Sequence, residues 1–319
     1  MRVTGIGGGI GAARLWVALR DHAPDVRLTA IVNTAEDVWM HGLRVCPDID
    51  TTLYALSGRQ DLERGWGVRD ESWQCMQTLA QIQGPQWFNL GDRDLGVHLH
   101  RTGRLAAGVT LSTVTTELAD AFGVGVRVLP MSDDEVTTMV RTADGAVMHY
   151  QEFLVRRHAH DEVASVELVS APGRPAAPAP GVLDAIAEAD LVVIAPSNPV
   201  ASVDPVLSLP GVREAVTNRA DTVVVVSPIV SGRPITSPGE AGRARSRAAL
   251  LRCRGLPATA AGVARHHRGL AARFVLDCAD SAEGEEIRGS GYRVDLAETL
   301  LHEGAAAADL VAVVLDRVS

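Results

Sequence analysis

Apolar runs and segments with helical spacing alternate along most of the chain. The pattern predicts strands at residues 2–6, 28–33, 126–129, 191–194 and 222–226, and helices at residues 12–20, 182–188 and 243–252. Residues 274–276 and 310–315 complete the alternation. Continuous apolar runs such as LVVI and VVVV are typical of parallel strands that helices cover on both faces. The sequence therefore predicts an α/β fold, a Rossmann-like three-layer sandwich with a mostly parallel sheet.

Two segments depart from this alternation. Helical patterns at 50–56, 71–81, 94–105 and 111–122 predict a helical insertion at about 50–122. Residues 136–150 predict a hairpin that reverses at Asp144-Gly145, because this dipeptide favours a tight turn. With residues 151–155 and 165–169 the hairpin forms a β-rich appendage at about 132–170. We expect residues 1–319 to form a single α/β domain that carries both additions.

Charge and composition narrow the classes of partner. The net charge of −9 argues against nucleic acids and anionic membranes, because both require a concentrated basic face. The four cysteines form no CxxC pair, so they indicate neither a zinc site nor a disulfide framework. The N-terminus shows no signal pattern, and no apolar run reaches the ~20 residues that span a bilayer. We therefore expect a soluble, cytoplasmic protein whose partners are small molecules.

A glycine-rich turn follows the first strand and opens the first helix. Gly7, Gly8, Gly9 and Gly11 let the backbone approach a phosphate, and the N–H groups at a helix start favour an anion. Gly7-x-Gly9-x-x-Ala12 also fits the relaxed dinucleotide fingerprint, which is a weak signal by itself. No Lys-Ser/Thr pair follows, so the turn is not a P-loop. The turn predicts a site for a phosphorylated nucleotide; the alternative is a tight turn that binds nothing.

An NAD-dependent oxidoreductase is a weaker hypothesis. A nicotinamide site requires an acidic residue at the end of the second strand to hold the ribose. This chain has Asn33 at that position, and Glu36 and Asp37 follow a few residues later.

Acidic residues gather at the ends of two predicted elements. Asp37 follows the second strand, and Asp48 and Asp50 lie where a helix at 51–56 should begin. Grouped carboxylates beside a phosphate site suit Mg²⁺, which prefers oxygen ligands. We expect one of Asp48 and Asp50 to cap this helix and the other to be free for a ligand. The alternative is a solvated acidic loop.

Further polar side chains follow later strands. Ser197 and Asn198 come directly after residues 191–194, and Ser227 after 222–226, so we expect both turns to line one pocket. Arg93 can bind an anion or a planar ring, or form a surface ion pair with its neighbouring aspartates. His98 and His100 are two residues apart and make poor joint metal ligands on a helix. They are predicted to be surface or cap histidines.

Several motifs in fixed order resemble one family over most of the chain. They are GGGIGAAR from Gly7, VNTAEDVWMHG from Val32, CPDIDTTLYAL from Cys46, RGWGVRDESW from Arg64, LGDRDLGVHL from Leu90, LPMSDDEV from Leu129, IAPSNPVASVDPVL from Ile194 and SPIVSGRPI from Ser227. The chain resembles the 2-phospho-L-lactate transferase family of coenzyme F-420 biosynthesis. The resemblance makes residues 1–319 a single catalytic domain.

The resemblance implies a Mg²⁺-dependent transfer in which the deazaflavin Fo attacks a guanosine diphosphate-linked three-carbon acid and GMP leaves. The acid is phospholactate, phosphoenolpyruvate or phosphoglycerate, depending on lineage. It also implies a homodimer. The implied residue roles are Asp50 and Arg93 for contact with the deazaflavin, Asp50 and Asp37 for catalysis, Asp37, Asp48 and Asp50 for the metal, and Gly7, Gly8, Gly9, Gly11, Asn33, Ser197 and Asn198 for the nucleotide.

Two departures bear on this resemblance. Arg233 stands where many members of the family have Lys, which preserves charge but changes contact geometry. A non-enzymatic nucleotide-sugar-binding regulator of related fold is the nearest alternative. Such proteins carry a PPGDIRN-like stretch where this chain has PDIDT from Pro47, and this difference favours the enzyme.

Overall fold

The computed structural model describes residues 1–171, 175–232, 235, 238–301 and 305–316. Its strands are β1 (Arg2–Gly7), β2 (Arg27–Val32), β3 (Val38–Met40), β4 (Leu43–Val45), β5 (Arg127–Pro130), β6 (Val136–Thr142), β7 (Val147–His149), β8 (Val163–Ser170), β9 (Leu191–Ile194), β10 (Val223–Val226), β11 (Arg273–Asp277) and β12 (Arg293–Ala297). Its α-helices are α1 (Gly9–His22), α2 (Pro47–Leu56), α3 (Gln74–Gln81), α4 (Asp92–Ala106), α5 (Leu111–Phe122), α6 (Val182–Glu188), α7 (Asp204–Leu207), α8 (Val212–Thr217), α9 (Pro238–Cys253), α10 (Ala260–His266), α11 (Gly284–Gly289) and α12 (Ala305–Leu315).

Seven strands form one sheet in the order β12-β11-β10-β9-β1-β2-β5. Every neighbouring pair in it is parallel. The chain runs from β1 outward to β2 and β5, then returns to β9 on the other side of β1 and continues outward to β12. The chain therefore leaves the neighbouring strands β1 and β9 in opposite directions. In open α/β sheets, ligands bind at this point, beyond the carboxyl ends of the strands.

The sheet is the middle layer of three. Helices α1, α2, α5 and α12 bury apolar side chains on one face, among them Trp16, Leu53 and Leu310. Helices α6, α7, α8, α10 and α11 cover the other face, where Ile186 and Val263 are buried. The LVVI and VVVV runs are the fully buried strands β9 and β10. The predicted three-layer α/β sandwich with a parallel sheet is confirmed.

Close packing of α1 against the sheet depends on Gly5 in β1. A Cβ atom at this position would lie 2.1 Å from Cη2 of Trp16 and 2.4 Å from its Cζ3. The Trp16 ring is fully buried, and packed interiors leave little room for such a ring to move. The Gly5 position therefore sets how closely α1 approaches β1.

We expect Gly5→Ala to lower the free energy of unfolding by about 1–3 kcal/mol, because the added methyl overlaps the Trp16 indole. Urea unfolding measures the change. Gly103→Ala is the matched control: Gly103 lies in α4 with nothing within 4 Å of an added Cβ, so alanine there should stabilise the helix by up to about 1 kcal/mol. Equal stability of Gly5→Ala and the wild type would contradict the packing argument.

The two additions lie on the cleft side of the sheet. Helices α2 to α5 fall within or next to residues 50–122, and β6, β7 and β8 form a three-stranded antiparallel sheet in the order β7-β6-β8. Phe153 and Val140 of this small sheet region pack against Val200 and against Leu250 of α9. The hairpin of β6 and β7 reverses at the predicted Asp144-Gly145 turn. The division of the chain into one domain with two additions stays a prediction.

Some local expectations differ from the structure. The helix predicted at 51–56 begins at Pro47, and strand β12 was not predicted. Residues 310–315 form the second half of α12. Arg233 lies outside the described residues. None of the described helices has both the length and the apolar run that crossing a bilayer requires.

Candidate active site

A cleft of about 510 Å³ opens at the carboxyl ends of β1, β9 and β10. Gly8 follows β1, Ser197 follows β9 and Ser227 follows β10, and all three residues line the cleft. The other walls come from α2, from the helical insertion, from the segment after β7 and from α9. The structure therefore brings together turns that lie almost 220 residues apart in sequence (Gly8 to Ser227).

The glycine-rich turn packs tightly against other parts of the cleft wall. Gly8 N–H donates to Ser197 Oγ at 3.1 Å, and this hydroxyl donates to the Gly8 carbonyl at 2.9 Å. A Cβ atom on Gly8 would lie 1.9 Å from Asp48 Oδ2, and one on Gly11 would lie 2.1 Å from the Pro196 carbonyl oxygen. These glycines are thus required by contacts within the protein, whatever ligand they also admit. Helix α1 starts here with no acidic residue in its first turn, so its dipole favours an anion.

Two buried carboxylates, Glu36 and Asp48, line the cleft. Asn33 Nδ2 donates to Asp48 Oδ2 at 2.9 Å, while Gln151 Nε2 and Ser202 Oγ donate to Glu36 at 2.9 and 3.0 Å. Burial raises the pKa of Asp48 to about 7, against the opposing effect of the Asn33 hydrogen bond. Burial and then the nearby charge of Asp48 raise the pKa of Glu36 well above its usual range. No cationic side chain of the described residues lies within ion-pair distance of either carboxylate.

The other two predicted aspartates each have an arginine partner. Asp37 Oδ2 lies 3.3 Å from Nη2 of Arg44, and both side chains are buried. Burial raises the pKa of Asp37 to about 6, and the positive charge of Arg44 opposes this rise. Asp50 accepts hydrogen bonds from both terminal nitrogens of Arg101, one of them at 3.1 Å. Its carboxylate is therefore held in one orientation by a fully buried guanidinium group.

A second cluster surrounds Asp50. The ligand atoms of Asp50, Asp94 and His98 all lie within 4.8 Å of one another. His98 Nε2 is 3.3 Å from Asp94 Oδ1, and Tyr54 Oη donates to the same oxygen at 2.5 Å. His98 Nδ1 is 3.2 Å from Nη1 of Arg101. The cluster is a continuous polar network from Tyr54 to Asp50 within the cleft wall.

Two sequence-based expectations about these residues are wrong. Neither Asp48 nor Asp50 caps α2, because the helix begins at Pro47 and both carboxylates fall inside its first turn. Pro is favoured at a first helical position, where its missing N–H is not needed. His98 is buried, because α4 turns it towards Asp50 and Asp94, whereas His100 stays half exposed beside Glu117.

Aromatic side chains form one wall of the cleft. Trp66, Trp87 and Phe88 line it, and Trp87 and Phe88 meet edge to face with ring centroids 5.7 Å apart. The Arg64 guanidinium stacks 5.5 Å from the Trp66 ring and 5.0 Å from the Trp73 ring. This stacking holds Trp66 in place while it remains 37% exposed to the cleft. The wall presents flat apolar surface to a ligand.

A basic wall lies on another side of the cleft. Arg14 projects from α1, and Arg243 and Arg247 lie one turn apart on α9; all three line the cleft. Burial lowers the pKa of Arg243 to about 10, and the charges of Arg247 and Arg14 add to this effect. The nearby carboxylate of Glu240 opposes it. Because the guanidinium group of arginine is a permanent cation in proteins, this wall is positively charged.

The structure divides the predicted site residues into two groups. Those that line the cleft are Gly8, Gly9, Gly11, Asp48, Asp50, Ser197 and Asn198. Gly7, Asn33, Asp37 and Arg93 lie outside this lining. Asn33 is buried behind Asp48, and Arg93 is exposed on α4, next to the cleft residue Asp94. The binding and catalytic roles of all these residues stay predictions.

Sequence reasoning missed several cleft residues. Glu36 was noted beside Asp37 but was given no role in the site, and Arg101 was not singled out because its partner Asp50 is 51 positions away. Arg243 and Arg247 lie in a helix whose spacing was recognised but whose polar face was not interpreted. Their i, i+4 spacing is the one signal that indicates a shared face.

Comparison with known proteins identifies the family. The sequence profile described as 2-phospho-L-lactate transferase CofD matches residues 3–251. The chain belongs to the 2-phospho-L-lactate transferase CofD family. The protein is therefore a transferase of coenzyme F-420 biosynthesis, and the nucleotide-binding regulator and the oxidoreductase are not favoured.

Relatives support this assignment of the transferase. A phosphoenolpyruvate transferase from Streptomyces griseus is 42% identical over 298 residues, covering 92% of this chain and 91% of the relative. A phosphoenolpyruvate transferase from Mycobacterium sp. strain KMS is 39% identical over 331 residues, and the match covers 98% of this chain and 97% of the relative. A UPF0052 family protein from Bacillus halodurans has the same fold, with a TM-score of 0.63 at 19% identity and 99% coverage of both chains.

Proposed function

We propose that this transferase moves a phosphoenolpyruvate group from a guanosine diphosphate-linked donor to the deazaflavin Fo, with release of GMP. The product is the dehydro form of F-420-0. The choice among the three acids rests on the relatives of 39–42% identity, which are named phosphoenolpyruvate transferases. Small-molecule substrates are consistent with the closed, mixed polar and aromatic character of the cleft.

The observation that carries the proposal is the composition of the cleft at the carboxyl ends of β1, β9 and β10. It combines the start of α1 and a basic wall for a diphosphate, carboxylates at Asp48 and Asp50, and the aromatic wall at Trp66. A planar deazaflavin suits the aromatic wall, because flat rings stack on exposed indole faces. The diphosphate suits the glycine-rich turn and the helix start. The two substrates thus meet at the carboxylates between these walls.

Asp50 is proposed to orient the terminal ribityl hydroxyl of Fo and to accept its proton. The hydroxyl oxygen then bonds to the phosphorus that bears the three-carbon acid, and the bond from this phosphorus to the GMP oxygen breaks. Arg101 holds the Asp50 carboxylate in place through two hydrogen bonds. Transfer of this kind depends mainly on positioning and on neutralising charge. Catalytic participation of Asp37 stays a prediction from the family.

The residues that best fit Mg²⁺ are Glu36 and Asp48. Both are oxygen donors that line the cleft, and both have raised pKa values without a cationic partner. Glu36 and Asp48 would hold a hard cation, which would relieve this cost because it favours the ionised carboxylates. Asp37 and Asp50 already have guanidinium partners, which makes them weaker ligands than the sequence implied. When bound, Mg²⁺ would supply charge neutralisation for the diphosphate.

We also propose a homodimer and a contact between Arg93 and the deazaflavin. Both proposals follow from the resemblance to the family. An exposed Arg93 reaches the acceptor only if its side chain extends over the cleft rim near Asp94.

A binding assay and a turnover assay test the proposed function directly. We expect purified protein to bind Fo and GDP but not NADH or a UDP-sugar, as measured by calorimetry. With Mg²⁺ and three guanosine diphosphate-linked donors in parallel, turnover should be fastest with the phosphoenolpyruvate donor. If NADH or a UDP-sugar binds and Fo does not, the proposed reaction is wrong. A preference for the phospholactate or phosphoglycerate donor would keep the reaction and overturn only the choice of acid.

A further inference from the structure

The basic wall of the cleft contains more positive charge than the described structure balances. Arg14, Arg243 and Arg247 have no carboxylate of the described residues within 4.0 Å of their guanidinium groups. The more deeply buried guanidinium groups of Arg44 and Arg101 are, by contrast, ion-paired. Three partly buried cations that repel one another lower the stability of a ligand-free protein. The single Glu240 carboxylate beside them offsets only part of this charge, so the arrangement favours the binding of an anion.

The position of the three arginines indicates where the negative charge lies. Arg14 is on the first turns of α1, the helix that starts at Gly9 in the same cleft. Arg243 and Arg247 share one face of α9 because they are four residues apart. The helix start and the guanidinium groups therefore act on the same volume. Guanidinium groups bind phosphate oxygens in a bidentate manner.

The carboxylate pair is a separate part of the site. Glu36 and Asp48 are held by Asn33, Gln151 and Ser202 and not by the arginines. If a phosphate group of the donor contacts only the arginines, the carboxylates stay free for the metal ion. The cleft thus contains an arginine cluster that can bind negative charge and, beside Gly8 at the start of α1, a carboxylate that can bind a cation.

We infer that Arg14, Arg243 and Arg247 form the diphosphate site of the transferase, so that the two α9 arginines discriminate a nucleoside diphosphate from a nucleoside monophosphate. This deepens the proposed function and rests on it for the identity of the donor. The chemical class of the ligand is a nucleoside diphosphate or its ester. GMP, which has one phosphate fewer than the donor, then makes fewer guanidinium contacts and leaves after transfer.

Binding of GDP, GMP and guanosine to the wild type and to Arg243→Gln/Arg247→Gln tests the inference. The wild type should bind GDP at least 10-fold more tightly than GMP. The double variant should lose about 100-fold in GDP affinity and bind GDP and GMP almost equally, since charge-assisted contacts to phosphate are each worth roughly 10-fold or more. Arg252→Gln, an exposed position on the same helix, makes the same Arg-to-Gln change at one site outside the cleft lining and should leave all three affinities unchanged.

A second measurement separates a ligand-binding role from a structural one. Without ligand, Arg243→Gln/Arg247→Gln should have a melting temperature equal to or higher than that of the wild type, because the repulsion between the two cations is gone. A structural role predicts a lower melting temperature and overturns the inference. So does a double variant that retains the wild-type preference for GDP over GMP.

The outcomes also distinguish this inference from the proposed function. If the wild type fails to bind Fo, or fails to transfer any three-carbon acid, the proposed function is wrong. If the wild type binds Fo and transfers a three-carbon acid, but the double variant has unchanged GDP affinity, only the inference about the arginines is wrong.

Discussion

Asp50→Asn is expected to lower the rate of transfer by at least 100-fold and to destabilise the fold at the same time. The loss of rate follows because the amide cannot accept the proton of the attacking hydroxyl, and positioned acid–base groups contribute about 10²–10⁴ in rate. The loss of stability follows because Arg101 is fully buried and binds both Asp50 oxygens. Removing one partner of a buried ion pair typically costs about 3–5 kcal/mol. Turnover and urea unfolding measure the two effects separately.

A double variant separates chemistry from folding. Asp50→Asn/Arg101→Met removes the buried charge together with its partner, so its stability should recover most of the loss of the single variant. Its rate of transfer should stay at the level of the single variant. A double variant that is stable and turns over almost as fast as the wild type would exclude Asp50 from catalysis.

The family resemblance implied a catalytic role for Asp50, but residue types and spacing gave no sign of this cost in stability, because Arg101 belongs to a different helix. The pairing of Asp50 with Arg101 depends on the way α4 packs beside α2, and no local pattern specifies that packing. The burial of His98 was missed for the same reason. A histidine on a polar helix face is indistinguishable in sequence from one that faces a distant carboxylate.

The features that the sequence did predict are those with a strong local cause. β9 and β10 are continuous apolar runs of the kind found in parallel sheets. The turn after β1 is rich in glycine because only glycine allows its close contacts with Asp48 and Pro196. The place of the cleft follows from these elements and from the switch in strand order. The polarity of the cleft walls does not follow from these elements, because the walls are assembled from α2, α9 and the segment after β7. Local pattern thus locates the site, and tertiary packing decides its charge.

The carboxylate pair at Glu36 and Asp48 leads to a prediction about pH. In the metal-free protein we expect Asp48 alone to lower the free energy of unfolding by on the order of 2–3 kcal/mol between pH 5 and pH 8. The pKa of Asp48 is about 7 in the folded protein, against about 4 in an unfolded chain. Between these values the folded state binds more protons than the unfolded state, so rising pH favours unfolding. The contribution of Asp48 should level off above about pH 8, one unit above its folded-state pKa, where it is mostly ionised in both states.

Urea unfolding of metal-free protein across this pH range measures the slope. Asp48→Asn should flatten the decline, because the amide does not titrate, whereas Asp221→Asn at an exposed position should leave it unchanged. Mg²⁺ binds the ionised carboxylates, so it should raise the melting temperature more at pH 8 than at pH 5.5 and should do so less in Asp48→Asn. An equal effect of Mg²⁺ at both pH values would show that the ion binds elsewhere. A wild-type slope that Asp48→Asn does not change would assign the pH dependence to other carboxylates, and Glu36→Gln would then be the next variant to measure.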